Sequence, residues 1–157
     1  MTGFGQFGPV KQEAEAPKME QTHLSFSKKD LQGPSLYAPI PEGKYTFTVY
    51  DCQTDYTKKD GTPMKVVTLE IEYEESKVRI TDYLTLKASM QWKIGRFFAS
   101  IGLWDELEEK GLEGVADPIW DAAVGREGEV ETKHDVYKDK VSNKVKNYIV
   151  PGTLAVR

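Results

Sequence analysis

One cysteine, two histidines and no long apolar run narrow the chemistry open to this chain. Cys52 stands alone, so no internal disulfide framework can form, and a reducing compartment is expected. His23 and His134 are too few, and too far apart, for the metal-ligand spacings CxxC, HxxxH or HExxH. The GxSxG elbow, the phosphate-cradling P-loop and a GxGxxG turn opening a helix are also missing. Phe4-Gly5-Gln6-Phe7-Gly8 has glycines but precedes no helical pattern. Nothing approaches the run of about 20 apolar residues that a membrane helix needs. The first residues show neither the basic start nor the apolar stretch of a secretory signal. These absences lead us to expect no enzyme, no cofactor, no metal site and no membrane contact.

A general excess of positive charge is missing too. The formal net charge is −4 and the isoelectric point about 5.3. A polyanion-binding protein of this composition would have to gather its cations locally, and the sequence does so. Residues 77–97 carry Lys77, Arg79, Lys87, Lys93 and Arg96 against Asp82. Residues 132–157 carry Lys133, Lys138, Lys140, Lys144, Lys146 and Arg157 against Asp135 and Asp139. The acid is concentrated between them, in 105–131. Blocks of one sign are also common on solvated surfaces, and that reading stays open.

Residues 1 to about 40 are rich in Gly, Pro, Gln, Glu and Lys, with isolated apolar residues. Such a segment buries too little to offset its ordering entropy and reads as a flexible arm. From Gly43 the period becomes two. Tyr45, Phe47 and Val49 face one way in a first strand, and Thr46, Thr48 and Tyr50 the other. Residues 57–63, with Asp60-Gly61, form a loop. Val67, Leu69, Ile71 and Tyr73 line a second strand; Val78, Ile80 and Leu84 line a third. A helix over 88–101 follows, with Met90, Ile94, Phe97, Phe98 and Ile101 on one face and Gly102 as its stop. Trp92 falls on the opposite face. Residues 104–123 suggest short helical turns. Val130, Thr132, His134 and Val136 alternate in a fourth strand, and Val145, Asn147 and Ile149 in a fifth, with a loop over 139–143.

Strand, strand, strand, helix, strand, strand is the element order of an OB fold. The expected architecture is mainly β, a five-stranded OB-type antiparallel barrel with its helix between strands 3 and 4. A different five-stranded barrel or an open sheet is the alternative. Domain limits are an arm over 1–40, the OB domain over 41–151 and a short tail over 152–157.

Single-strand binders need cations for phosphates and flat rings for bases. Outward positions of the expected strands offer Lys44 and Tyr50, then Lys77, Arg79 and Tyr83, then Lys133 and Tyr137, then Lys144, Lys146 and Tyr148. The hairpin loops add Tyr56, Lys58 and Lys59, and Lys138 and Lys140. Tyrosine is also a good strand former, so each ring has a structural reading beside the functional one. The carboxylates Glu70, Glu72, Glu74 and Glu75 read as a solvated face.

The order of these elements carries a resemblance. Pro41-Glu42-Gly43-Lys44-Tyr45 opens the first strand, and 58–64 leads into Val67-Thr68-Leu69-Glu70-Ile71. Leu84-Thr85-Leu86 precedes the tryptophan-bearing helix ending at 97–103; then come 125–131 and the pair Tyr137 and Tyr148 with Asn143 between. Over about 41–150 the chain resembles a family of small phage-encoded proteins, long known only as a domain of unknown function and regarded as OB-fold single-stranded DNA-binding proteins. The resemblance implies single-stranded DNA as ligand and a role in phage DNA replication or recombination, in the cytoplasm of the infected host. Phage replication or recombination proteins are then candidate partners, and a homo-oligomer is open. The chain departs from many single-strand binders in ending Thr153-Leu154-Ala155-Val156-Arg157, which is not acidic, so partner recruitment is not carried over. The competing function is a non-enzymatic adaptor whose barrel binds another protein.

Overall fold

A computed structural model describes residues 23–26 and 36–154. The chain divides into two compact units, Met1–Pro34 and Ser35–Arg157. In the first, residues 23–26 have no regular secondary structure. All described strands and helices lie in the second. Residues 36–40 of the expected arm belong to that folded unit, and Ile40 is buried in its core. The rest of the arm, apart from 23–26, lies outside the described residues.

The second unit is mainly β. Strands β1 (Lys44–Tyr56), β2 (Pro63–Tyr73) and β3 (Ser76–Thr85) form an antiparallel meander. Helix α1 (Gln91–Ser100) follows, then α2 (Trp104–Lys110) and α3 (Ile119–Ala123). Strands β4 (Glu127–Tyr137) and β5 (Lys140–Tyr148) complete the sheet. The spatial order is β3-β2-β1-β4-β5, with the first half of β1 pairing to β4. Strands β3 and β5 are edges, so main-chain pairing does not close the sheet into the expected barrel.

Alternation built these strands as expected. Phe47, Val49, Val67, Leu69, Ile71, Val78, Ile80, Leu84 and Val130 are all buried. Helix α1 lays Ile94, Phe97 and Phe98 on that core. It stops where anticipated: Gly102 takes φ 81°, donating its N–H to Ala99 O, while Leu103 N–H reaches back to Phe98 O. A residue with a Cβ resists that left-handed backbone. The C-terminus of α1 then sits on β4 at Gly128, where an added Cβ would lie 2.6 Å from Ser100 O. Cys52 packs against the core, and burial pushes its thiol up to about 11.

Two irregularities change side-chain parity. A bulge in β1 lies between Val49 and Asp51, and another in the β4–β5 ladder where Glu131 and Thr132 face Asn147 and Val145. Each bulge leaves one residue unpaired and bends its strand. The second reverses the expected facing of Tyr148: it is 1% exposed, inside the core, with Phe97 and Phe47 edge-on to its ring. Asn147, expected inward, instead accepts from Arg96.

The open side between β3 and β5 is spanned by polar side chains. Tyr148 Oη donates to Asp82 Oδ2 at 2.6 Å, and Lys93 Nζ of α1 meets Asp82 Oδ1 at 2.9 Å. Burial, then the adjacent Asp82 carboxylate, hold the Tyr148 phenol well above its ordinary value. Segment 36–43 adds to this closure. Leu36 O accepts from Arg79 N on β3, Asn143 Nδ2 of β5 donates to Ala38 O, and Asn143 Oδ1 accepts from Ile40 N.

Candidate nucleic-acid interface

Fourteen of the fifteen candidate residues separate into four settings; the other, Lys146 on β5, is ion-paired with Glu131. Tyr148 is the simplest: a buried ring cannot stack on a base, so it leaves the candidate surface.

The second setting is the outward face across β3, β2, β1 and β4. Strand pairing sets Arg79 opposite Glu70, Glu70 opposite Thr48, and Thr48 opposite Glu127. Arg79 Nε bonds Glu70 Oε2 at 3.1 Å, and its guanidinium lies 3.7 Å from the centroid of the Tyr50 ring. Lys77 Nζ is 3.8 Å from the same Glu70. Lys44 lines a depression of 410 Å³ with Thr46, Thr48, Glu70, Glu72, Lys77 and Glu127. The cations expected to greet phosphates here are matched by carboxylates from neighbouring strands. The Tyr50 face is occupied by Arg79. Tyr83 remains exposed on β3, opposite Val66.

The third setting is the β1–β2 loop. Asp60 organises it: Thr57 Oγ1, Thr62 Oγ1 and Thr62 N–H all bond its Oδ1. Those bonds lower the Asp60 carboxyl to about 2. The ordered loop carries exposed Lys58 and Lys59 beside the half-exposed Tyr56.

The fourth is the β4–β5 hairpin. Its turn is two residues, Lys138 (φ 51°) and Asp139 (φ 64°), tighter than the loop over 139–143 expected from sequence. Two left-handed residues match the twist of the flanking strands. Residues 133–141 are exposed on both faces, so the hairpin projects from the body. One face pairs Lys133 with Lys144, Asp135 with Ser142 and Tyr137 with Lys140. Tyr137 is 69% exposed, and Lys138 Nζ lies 5.3 Å from its ring centroid. The other face shows Val136 and Val141. At the hairpin base, His134 Nε2 donates to Ile40 O at 2.6 Å and His134 N–H to Glu42 Oε2 at 2.7 Å. His134 thus anchors segment 36–43.

Among the described residues four ion pairs form: Lys77–Glu70, Arg79–Glu70, Lys93–Asp82 and Lys146–Glu131. None includes Lys58, Lys59, Lys133, Lys138, Lys140 or Lys144. The loop and the hairpin lie at opposite ends of β1. Lys44 pairs with Glu131, and the hairpin tip is six residues further on, about 20 Å at strand rise. Arg79 is level with Thr48 and Glu127, so Tyr137 and Lys140 at the tip lie ten residues further along β4. Tyr83 lies level with Gln53 in the far half of β1.

Sequence reading missed two features. Lys65 is buried, donating to Thr54 Oγ1, with its ammonium 5.8 Å from the Trp120 ring. Trp120 itself is a core residue against Phe98. An even spacing from Val67 and Leu69 would have placed Lys65 inward. The other feature is a groove of 1160 Å³ between α1 and α2 that includes Trp92 and Trp104.

No helix of the described residues is long and apolar enough to cross a membrane. Searches against family models and against curated proteins give no match for this chain.

Proposed function

We propose that this protein binds single-stranded DNA without sequence preference and without catalysis, and that its sheet is of the OB type. The observation that carries the reading is the β4–β5 hairpin. Like charges directly opposite on paired strands destabilise a sheet, yet Lys133 faces Lys144 there with no carboxylate ion-paired to either. Folding gains nothing from that arrangement; a phosphate chain laid along the hairpin does. Tyr137 supplies a flat exposed ring among those lysines, the combination on which sequence-tolerant single-strand binding rests. The strand order and the helix between β3 and β4 support the OB assignment, since OB folds are partly open five-stranded barrels that use their β1–β2 and β4–β5 loops for oligonucleotides. The resemblance to phage single-strand binders adds the setting: phage replication or recombination in the bacterial cytoplasm, beside proteins of that machinery.

The deciding measurement is fluorescence anisotropy with labelled single-stranded and duplex oligonucleotides at two salt concentrations. Tighter binding to single strands, weakening as salt rises through loss of counterion release, is the expected result. Equal affinity for duplex, or no binding at low salt, overturns the reading. The competing adaptor reading draws on Trp92, which is 58% exposed beside an apolar groove.

A further inference from the structure

We infer that the groove between α1 and α2 is a continuation of the nucleic-acid track, in which bases stack on Trp92. This rests on the function proposed for the hairpin and extends it to a second surface. Helix α1 buries Ile94, Phe97 and Phe98, which leaves Trp92 on its outer side. The ring is not isolated: it lines one groove with Leu86, Ile94, Trp104 and Leu107, and a contiguous apolar groove marks an interaction surface. Trp92 and Arg96, one turn apart, both line the groove, with the guanidinium 5.9 Å from the indole centroid. Trp104 and Leu107 of α2 line it too.

Three features favour a nucleic-acid strand there. The first is continuity with the hairpin. Arg96 Nη1 donates to Asn147 Oδ1 at 2.9 Å, which fastens α1 to β5 next to Lys146 and three residues from Lys144. A chain following Lys140 and Lys144 along β5 is thereby led to Arg96. The second is charge. Lys87 and Arg96 stand on the α1 side, while Glu108 stands on the α2 side. Phosphates are held by Lys87 and Arg96 and repelled from α2, so the strand lies along α1 with its bases over the Trp92 indole. The third is size. At 1160 Å³ the groove exceeds the roughly 300–1,000 Å³ typical of small-molecule sites, and suits an extended chain.

The test uses the full chain and oligothymidylates of roughly 4 and roughly 16 nucleotides, the limits of the site size of one OB fold. The short strand covers the hairpin alone; the long one reaches the groove. Trp92→Ala is expected to weaken the long strand about tenfold, as for one lost base stack, and to leave the short strand unchanged. Trp92→Phe should restore most of the loss. The tryptophan fluorescence of the parent should be quenched by the long strand only, and less so in Trp92→Phe. A Trp92→Ala protein that binds the long strand like the parent, while Lys140→Ala with Lys144→Ala binds both lengths weakly, overturns the groove inference and leaves the hairpin reading standing. No binding of either strand by the parent overturns both. Sedimentation separates the remaining occupant: if Trp92→Ala abolishes a concentration-dependent dimer without changing long-strand affinity, the groove is an interface between copies and the inference fails.

Discussion

Lys93 and Lys144 are both lysines of the folded unit, yet they belong to different physical systems. Lys93 is held on the Asp82 carboxylate, which also accepts from buried Tyr148, so its charge is neutralised inside the body. Lys144 stands half-buried at the base of the hairpin, opposite another lysine and in no ion pair among the described residues. A cation neutralised by the fold contributes to stability and has little left for a ligand. One without an internal partner contributes nothing to folding and is available to an external anion. The same division separates Arg79, covered by Glu70 and Tyr50, from Lys140.

The sharpest way to break this comparison is to remove each kind of lysine and measure both stability and binding. Lys93→Met leaves a largely buried carboxylate without its cation and should cost about 3 kcal/mol of unfolding free energy in urea, toward the low end for a broken buried pair. Single-strand affinity of the folded fraction should not change. Weakened binding with normal stability would reverse the assignment.

Replacing Lys133, Lys140 and Lys144 together by Ala should act in the opposite sense. Single-strand affinity at low salt should fall about a hundredfold, and the slope of log K against log salt should flatten by about two units, at about 0.7 per phosphate contact. Stability should hold or rise slightly as the Lys133–Lys144 repulsion disappears. The matching change at Lys77 should alter affinity by less than a factor of about two, because Glu70 already sets its field.

Tyrosines sharpen the contrast further. Tyr137→Ala should cost about 1–3 kcal/mol of single-strand binding by anisotropy, as a lost stacking platform. Tyr50→Ala removes a ring already covered by the Arg79 guanidinium and should leave affinity almost untouched. Equal losses at the two positions would show that the sheet face, and not the hairpin, carries the strand.

The smallest effect is one of pH. Tyr148 keeps its proton in the folded state to well above the ordinary tyrosine range, whereas the unfolded chain releases it near pH 10. Its contribution is complete below pH 10 and declines as pH rises from there toward the folded value. The slope should be about 1.4 kcal/mol per pH unit. Urea midpoints of the parent and of Tyr148→Phe, compared between pH 9 and 11, test this; parallel profiles would place the ring outside the buried seam.

Much of the architecture could be read from the chain because it depends on local spacing. Period-two alternation through Phe47, Val67, Ile80 and Val130 put each of these side chains in the core. The helical stripe through Ile94, Phe97 and Phe98, and the glycine that ends it, located α1 to within a few residues. The hairpin turn was tighter than anticipated, because Lys138 joins Asp139 in left-handed backbone, which aspartate tolerates but lysine does not advertise. The candidate surface was less legible. Arg79 and Lys77 were correctly placed outward, but their neutralisation by Glu70 depends on the β2–β3 register.

The number of strands, the place of the helix and the cation-rich stretches can all be read along the chain, since each follows from neighbours a few residues apart. Which cations stay without an internal carboxylate, and which rings stay exposed, is fixed by contacts between elements distant in sequence. A single bulge turned Tyr148 from the surface into the core, because one extra residue reverses side-chain parity. Strand pairing brought Glu131 to Lys146 and left Lys133 facing Lys144, and side chains meeting across the two unpaired edges brought Asp82 to Tyr148. Charge balance at a surface is a sum over neighbours in space, and those neighbours exist only once the sheet has formed.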